Sequence, residues 1–122
     1  MPSIAIIGAS QDPLKYGNKA VRAYLQEKWV VYPVNPKDNE IEGLKCYASI
    51  TDLPETPDYA SLYLPPQIVV KVLDEIAEKG VKKVYFNPGT ESQEGIEKAK
   101  KLGLEPLLKC SIRAIGINPD EL

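Results

Sequence analysis

The sequence contains no histidine. That removes the side chain used most often for proton transfer near neutral pH, and with it a favoured ligand of transition metals. Cysteine is nearly as scarce, with only Cys46 and Cys110. The two are far from a Cys-x-x-Cys spacing, so no zinc site is expected and both thiols are expected to stay reduced. No apolar run approaches the length of a membrane span, and the N-terminus lacks a basic-then-apolar leader, so a cytoplasmic protein without a membrane partner is expected. Charge of neither sign is in excess: 15 Lys and Arg face 17 Asp and Glu, for a net charge of -2. A nucleic-acid-binding surface, which needs a strongly basic face, is thereby excluded.

The dinucleotide fingerprint Gly-x-Gly-x-x-Gly is missing too. Gly8 is followed by Ala9 and Ser10, and the next glycine is Gly17. What is present is an alternation of short apolar runs with amphipathic segments, over 122 residues read as one domain spanning 1–122. Ile4–Ile7, Val30–Val34, Tyr59–Leu64, Lys83–Phe86 and Leu104–Leu108 have the length and composition of buried strands. Pro33 lies inside the second run and is expected near its end, since proline cannot donate to a strand ladder. Helical spacing follows Gly17, follows Pro65-Pro66 as far as Gly80, and recurs in Ile96, Ala99 and Leu102 as far as Gly103. Thr90 and Gln93 have capping-box spacing for that third helix. Residues 35–57 read as a connector with a short helical turn near Ser49–Leu53, and the tail from Cys110 has no periodicity. The pattern predicts an α/β fold: a single Rossmann-like, doubly wound, parallel five-stranded sheet with helices on both faces.

In such a sheet, ligands bind beyond the carboxyl ends of the strands. The first of those loops, Gly8 to Gly17, leads into a helix N-terminus, where free backbone N–H groups and the helix dipole favour phosphate. Gly8 is read as leaving room for the phosphate, Ser10 as a donor to it and Lys15 as a cation above it; the alternative is a plain connector in which Ser10 caps locally. The second loop reads Val34-Asn35-Pro36-Lys37, with lysine where a NAD site usually carries a carboxylate for the ribose. A lysine there suits a phosphorylated ribose, as in coenzyme A or NADP, unless it is simply a solvated surface residue.

Together, Gly8-Ala9-Ser10, Val34-Asn35-Pro36-Lys37, Glu42-Gly43, Tyr63-Leu64-Pro65-Pro66 and Asn87-Pro88-Gly89-Thr90-Glu91 resemble the small stand-alone CoA-binding proteins. Those are similar to the N-terminal, CoA-binding domain of the succinyl-CoA synthetase α subunit. The resemblance runs from about Ser3 to Cys110. It implies coenzyme A or an acyl-CoA as ligand. It places Ala9, Ser10 and Lys15 at the diphosphate, with Gly8, Tyr16 and Gly17 also in the cofactor site, and Asn35, Pro36 and Lys37 beside the adenine and 3′-phosphate. Tyr63, Pro65 and Pro66 would form an apolar wall, with Asn87 and Gly89 in the fourth loop. Pro65-Pro66 also reads as an ordinary helix start. The terminal Lys109-Cys110-Ser111-Ile112-Arg113 departs from the Arg-Cys pair of many relatives.

No catalytic constellation is legible. Glu91 is expected in the first turn of its helix and Cys110 as an inert thiol. The leading expectation is a non-catalytic carrier, sensor or regulatory module. The alternatives are an NADP-binding reductase-like protein, with Tyr16, Tyr63 and Tyr85 as its phenols, or a structural protein whose nucleotide site has decayed. A homodimer through the sheet edge, or a protein partner, is the remaining expectation.

Overall fold

In the computed structural model, which describes residues 1–122, the chain begins with β1 (Ser3–Ile7), α1 (Tyr16–Gln26) and β2 (Val30–Val34). The stretch expected to be a connector holds a small hairpin, β3 (Glu40–Ile41) and β4 (Leu44–Lys45), and then a 3-10 turn at Ile50–Asp52 capped by Ser49. β5 (Tyr59–Leu62), α2 (Pro66–Lys79), β6 (Lys83–Phe86), α3 (Gln93–Lys101) and β7 (Glu105–Leu107) complete the alternation. The tail adds a one-turn helix, α4 (Ser111–Ala114), and a 3-10 turn at Pro119–Glu121.

β1 and β2, β1 and β5, β5 and β6, and β6 and β7 pair in parallel, giving the order β2-β1-β5-β6-β7. The chain starts in the interior at β1, winds outward to β2, then crosses back to β5 on the other side. The strand order therefore reverses between β1 and β5. Helices lie on both faces, so the central strands carry apolar side chains in both directions, as in Ile4-Ala5-Ile6-Ile7, every one buried. One core contains Ala5, Ile7, Leu62, Phe86 and the inner faces of α2 and α3; the other contains Ile4, Ile6, Tyr24, Tyr85 and Ile112. No helix is long and apolar enough to cross a membrane.

Pro33 is tolerated because of where β2 lies. Val30 N–H points inward to the Pro2 carbonyl, while Asn35 N–H points outward to the Tyr47 carbonyl. By alternation the Pro33 nitrogen faces outward, and its carbonyl accepts from Tyr47 N–H. Pro106 in β7 repeats this at the opposite edge: Glu105 N–H donates inward to Lys82, leaving the proline nitrogen outside.

Two local expectations are corrected. The third helix is capped by Ser92, whose hydroxyl accepts from Gly95 N–H at 3.0 Å. Thr90 is instead buried in the preceding turn and donates to the Asn87 carbonyl at 2.7 Å. The buried stripe of α3 is Gly95 and Ala99 with Ile96 at its margin, whereas Leu102 is exposed.

Candidate functional site

At the strand-order reversal, the carboxyl ends of β1, β5 and β6 border a cleft of about 320 Å³. Gly8, Lys15, Tyr16 and Gly17 form one side; Tyr63, Leu64 and Pro65 form another; Pro88, Gly89 and Thr90 close the third. Seven of the sequence-predicted residues thus meet here: Gly8, Lys15, Tyr16, Gly17, Tyr63, Pro65 and Gly89. A larger hollow over the outer face of α3 has no apolar lining and lies among exposed Gln93, Glu94 and Lys101, away from the strand ends.

The structure changes the reading of Gly8. Its φ is +94°, and a Cβ there would lie 2.2 Å from the Tyr63 carbonyl oxygen. The glycine lets two strand ends approach each other; the space a phosphate was expected to use is filled by backbone. Gly8 and Ala9 N–H groups are also engaged, both by the Val34 carbonyl. Gly17 plays the matching part from the helix side, since its Cβ would lie 2.3 Å from the Gly8 carbonyl oxygen. Free donors do exist one step further on. Lys15 caps α1 without a side-chain bond, and the Tyr16 and Gly17 N–H groups have no acceptor within the chain. With the Lys15 ammonium beside them, they form the anion-seeking part of the cleft.

Around the cleft, polar side chains fix the loops. Ser10 caps locally, its Oγ accepting from Asp12 N–H at 3.0 Å. Asn35 donates from Nδ2 to the Ala9 carbonyl (2.8 Å) and to Asp38 Oδ2 (2.9 Å), while its Oδ1 accepts from Lys37 N–H (2.8 Å). Both of its amide hydrogens are used, so Asn35 acts as a clamp between the first two loops. Pro36 and Lys37 are exposed just beyond it, at the β2 end, and Pro66 opens α2 without lining the cleft. Asn18, which sequence reasoning missed, is fully buried in α1 and donates to both the Ser10 carbonyl and Glu42 Oε2. It ties the hairpin turn to the loop after β1.

A second buried network anchors the tail. Asn87 donates to Ser61 Oγ and the Leu62 carbonyl, each at 2.8 Å, and accepts from Ser111 N–H at 2.8 Å. Ser111 Oγ pairs with Ser61 Oγ at 2.8 Å and with the Tyr63 hydroxyl at 3.1 Å. The Tyr24 hydroxyl donates to the Ser111 carbonyl at 2.7 Å. Asn87 is therefore structural as well as peripheral to the site. Tyr24 and Lys28 form the only Tyr-x-x-x-Lys spacing in the chain, and its phenol is consumed here. Glu91 precedes the cap of α3 instead of entering the helix, and its carboxylate accepts from Gly89 N–H.

Burial sets the electrostatics of these phenols. The Tyr63 hydroxyl is pushed up to about 12, chiefly by desolvation against the opposing hydrogen bond to Ser111. Desolvation raises the Tyr85 hydroxyl as well, with nearby Tyr59 adding to it, and raises the Cys46 thiol, with Asp38 adding to it. No group of His, Cys, Asp or Glu side chains converges as a metal site would require. A cleft with a lysine, free helix N–H groups and neutral aromatic walls can hold an extended, phosphate-bearing ligand.

A family model described as a CoA binding domain matches residues 2–115. An ADP-forming acetate–CoA ligase of Methanocaldococcus jannaschii is 36% identical over 116 residues, covering 95% of this chain and 16% of the ligase. The α subunit of ADP-forming acetate–CoA ligase II from Pyrococcus furiosus is 39% identical over 121 residues, covering 94% of this chain and 26% of the subunit. The chain thus spans about a quarter or less of these curated relatives. Among solved structures, a conserved hypothetical protein of Pyrococcus furiosus superposes with a TM-score of 0.88 at 40% identity, covering 93% of this chain and 99% of that one. The dinucleotide-forming acetyl-coenzyme A synthetase 1 of Ca. Korarchaeum cryptofilum, in complex with phosphate and ADP, superposes with a TM-score of 0.79 at 34% identity, covering 88% and 25%.

Proposed function

This chain belongs to the CoA-binding domain family, and from that premise we propose that it binds coenzyme A or an acyl-CoA across the carboxyl ends of β2, β1, β5 and β6. The role proposed is that of a non-catalytic carrier, sensor or regulatory module. One observation carries the reading: the cleft at the strand-order reversal joins unpaired Tyr16 and Gly17 N–H groups and Lys15 to the Tyr63–Pro65 wall. The diphosphate lies on the α1 end, because aligned N–H groups and a cation favour it there. Lys37, held just past the Asn35 clamp, meets the 3′-phosphate. The pantetheine arm passes between Tyr63-Pro65 and Pro88-Gly89.

Calorimetric titration with CoA, 3′-dephospho-CoA and NADP tests this. CoA is expected to bind more tightly than 3′-dephospho-CoA, and Lys37→Ala to remove most of that difference. An exposed ion pair of this kind is worth up to about a fivefold change in affinity. Equal affinities for the first two ligands would refute the Lys37 contact. Binding of NADP alone would turn the reading toward a reductase-like protein, and silence from all three would leave a scaffold whose work lies in protein contacts.

A further inference from the structure

The tail walls a second hollow, of about 230 Å³, that the CoA reading leaves unused. Tyr16, Tyr63 and Pro88 line both this hollow and the cleft, and Cys110, Arg113 and Pro119 complete its far side. Arg113 carries the only formal charge in its lining, and its guanidinium enters no ion pair within the chain; the sole ion pair joins Lys98 and Asp74.

We propose that this hollow is an acyl subsite for CoA thioesters whose acyl chain ends in a carboxylate, which Arg113 receives. The inference rests on the CoA reading above. The order β2-β1-β5-β6 then fixes the direction of the ligand: the 3′-phosphate lies beyond β2, the diphosphate beyond β1, and the thiol end toward β6. Two strand spacings, roughly 10 Å, separate the diphosphate beyond β1 from the thiol end at β6, and the pantetheine arm bridges them. The thiol end arrives beside Pro88, where the hollow adjoins the cleft.

The wall is fixed before any ligand arrives. Ser111 is held through its N–H, hydroxyl and carbonyl by Asn87, Ser61 and Tyr24, which sets the backbone two residues before Arg113. Pro119 is held at its carbonyl by Lys19 Nζ at 3.1 Å. The Arg113 side chain itself is exposed and enters no ion pair, so its guanidinium is free to pair with a carboxylate in fork geometry, and the backbone that carries it is already ordered. A chain ending in methyl gains nothing from the same group.

Succinyl-CoA and butyryl-CoA carry acyl groups of equal carbon count that differ in the terminal group, carboxylate against methyl. Calorimetry with both should show a preference for the succinyl thioester of up to about fivefold. Arg113→Ala should bring the ratio of the two affinities to about one, and Arg113→Lys should restore part of it. Thermal melting of each variant checks that the fold survives. Equal affinities in the unaltered protein, or a preference that persists in Arg113→Ala, would overturn the subsite while leaving CoA binding intact. Failure of CoA itself to bind would instead remove the reading on which the subsite rests.

Discussion

Gly8→Ala separates two costs that a glycine at a strand end can hide. The first is conformational. At φ +94° an alanine is forced into a left-handed region that costs about 1–2 kcal/mol. The second is steric: the new methyl carbon lies 2.2 Å from the Tyr63 carbonyl oxygen and 2.8 Å from its carbon. Neither atom can swing away, because Tyr63 N–H is bonded to the Ile7 carbonyl at 2.8 Å. Relief requires β1 and β5 to part at their carboxyl ends, at a further cost of about 1–3 kcal/mol. The expected loss is about 2–5 kcal/mol, a large share of the roughly 5–15 kcal/mol typical of a domain, and the melting temperature should fall by roughly 8–20 °C. Urea unfolding followed by the fluorescence of the single tryptophan, Trp29, measures it. Gly43→Ala supplies the conformational cost alone, with φ +77° and nothing within 4 Å of its Cβ. Gly17→Ala supplies the steric cost alone, in ordinary helical backbone with a contact of 2.3 Å to the Gly8 carbonyl oxygen. A Gly8→Ala loss no larger than that of Gly43→Ala would refute the close approach of the two strands.

Asn87→Ala leaves Ser111 N–H and the Leu62 carbonyl without the partners they have now; buried groups stripped in this way should cost about 3 kcal/mol or more in denaturant unfolding, and a loss below about 1 kcal/mol would show that the tail is not anchored there. Stability should also fall in alkali. Burial raises Tyr63 to about 12 and Tyr24 further, whereas unfolded tyrosines ionise near pH 10. The folded state keeps protons that the unfolded chain gives up, so this stability is complete below about pH 10 and is lost as pH rises through about 12. Tyr63→Phe should make the decline shallower by about one proton; an unchanged slope, read from urea midpoints across that range, would contradict the buried hydroxyl.

Five strands and three helices were legible because each is long enough to display its period or is punctuated by residues with a backbone reason to be there. Gly80 at φ +93° after α2 is one such mark. The hairpin at Glu40–Lys45 escaped because two-residue strands have no period, and because Glu42 adopts a positive φ of 51° that its residue type does not announce. The tail escaped for a related reason. α4 has four residues, and what holds it is a set of polar contacts with partners 24 to 87 positions away. At the site, the loops were found and several roles were not. A glycine needed for ligand approach and one needed for backbone approach look alike in sequence, as do a ligand-facing asparagine and a clamp such as Asn35. The cap of α3 shows the same ambiguity, since Thr90 and Ser92 both stand at plausible spacing and only the turn at Asn87 decides between them.

The two outward-facing prolines, Pro33 and Pro106, set how this sheet can meet its neighbours. At the β2 margin the Asn35 donor is already taken by Tyr47, and at the β7 margin the three-residue strand offers a proline at its centre. Neither margin presents the run of donors that a visiting strand would need to dock in register. The prolines interrupt the donor row at both margins, without a covering helix, and growth by strand addition is disfavoured in both directions. Contact with a second copy, or with the additional polypeptide carried by longer relatives, is therefore better served by side-chain surfaces on the helical layers and loops than by these margins.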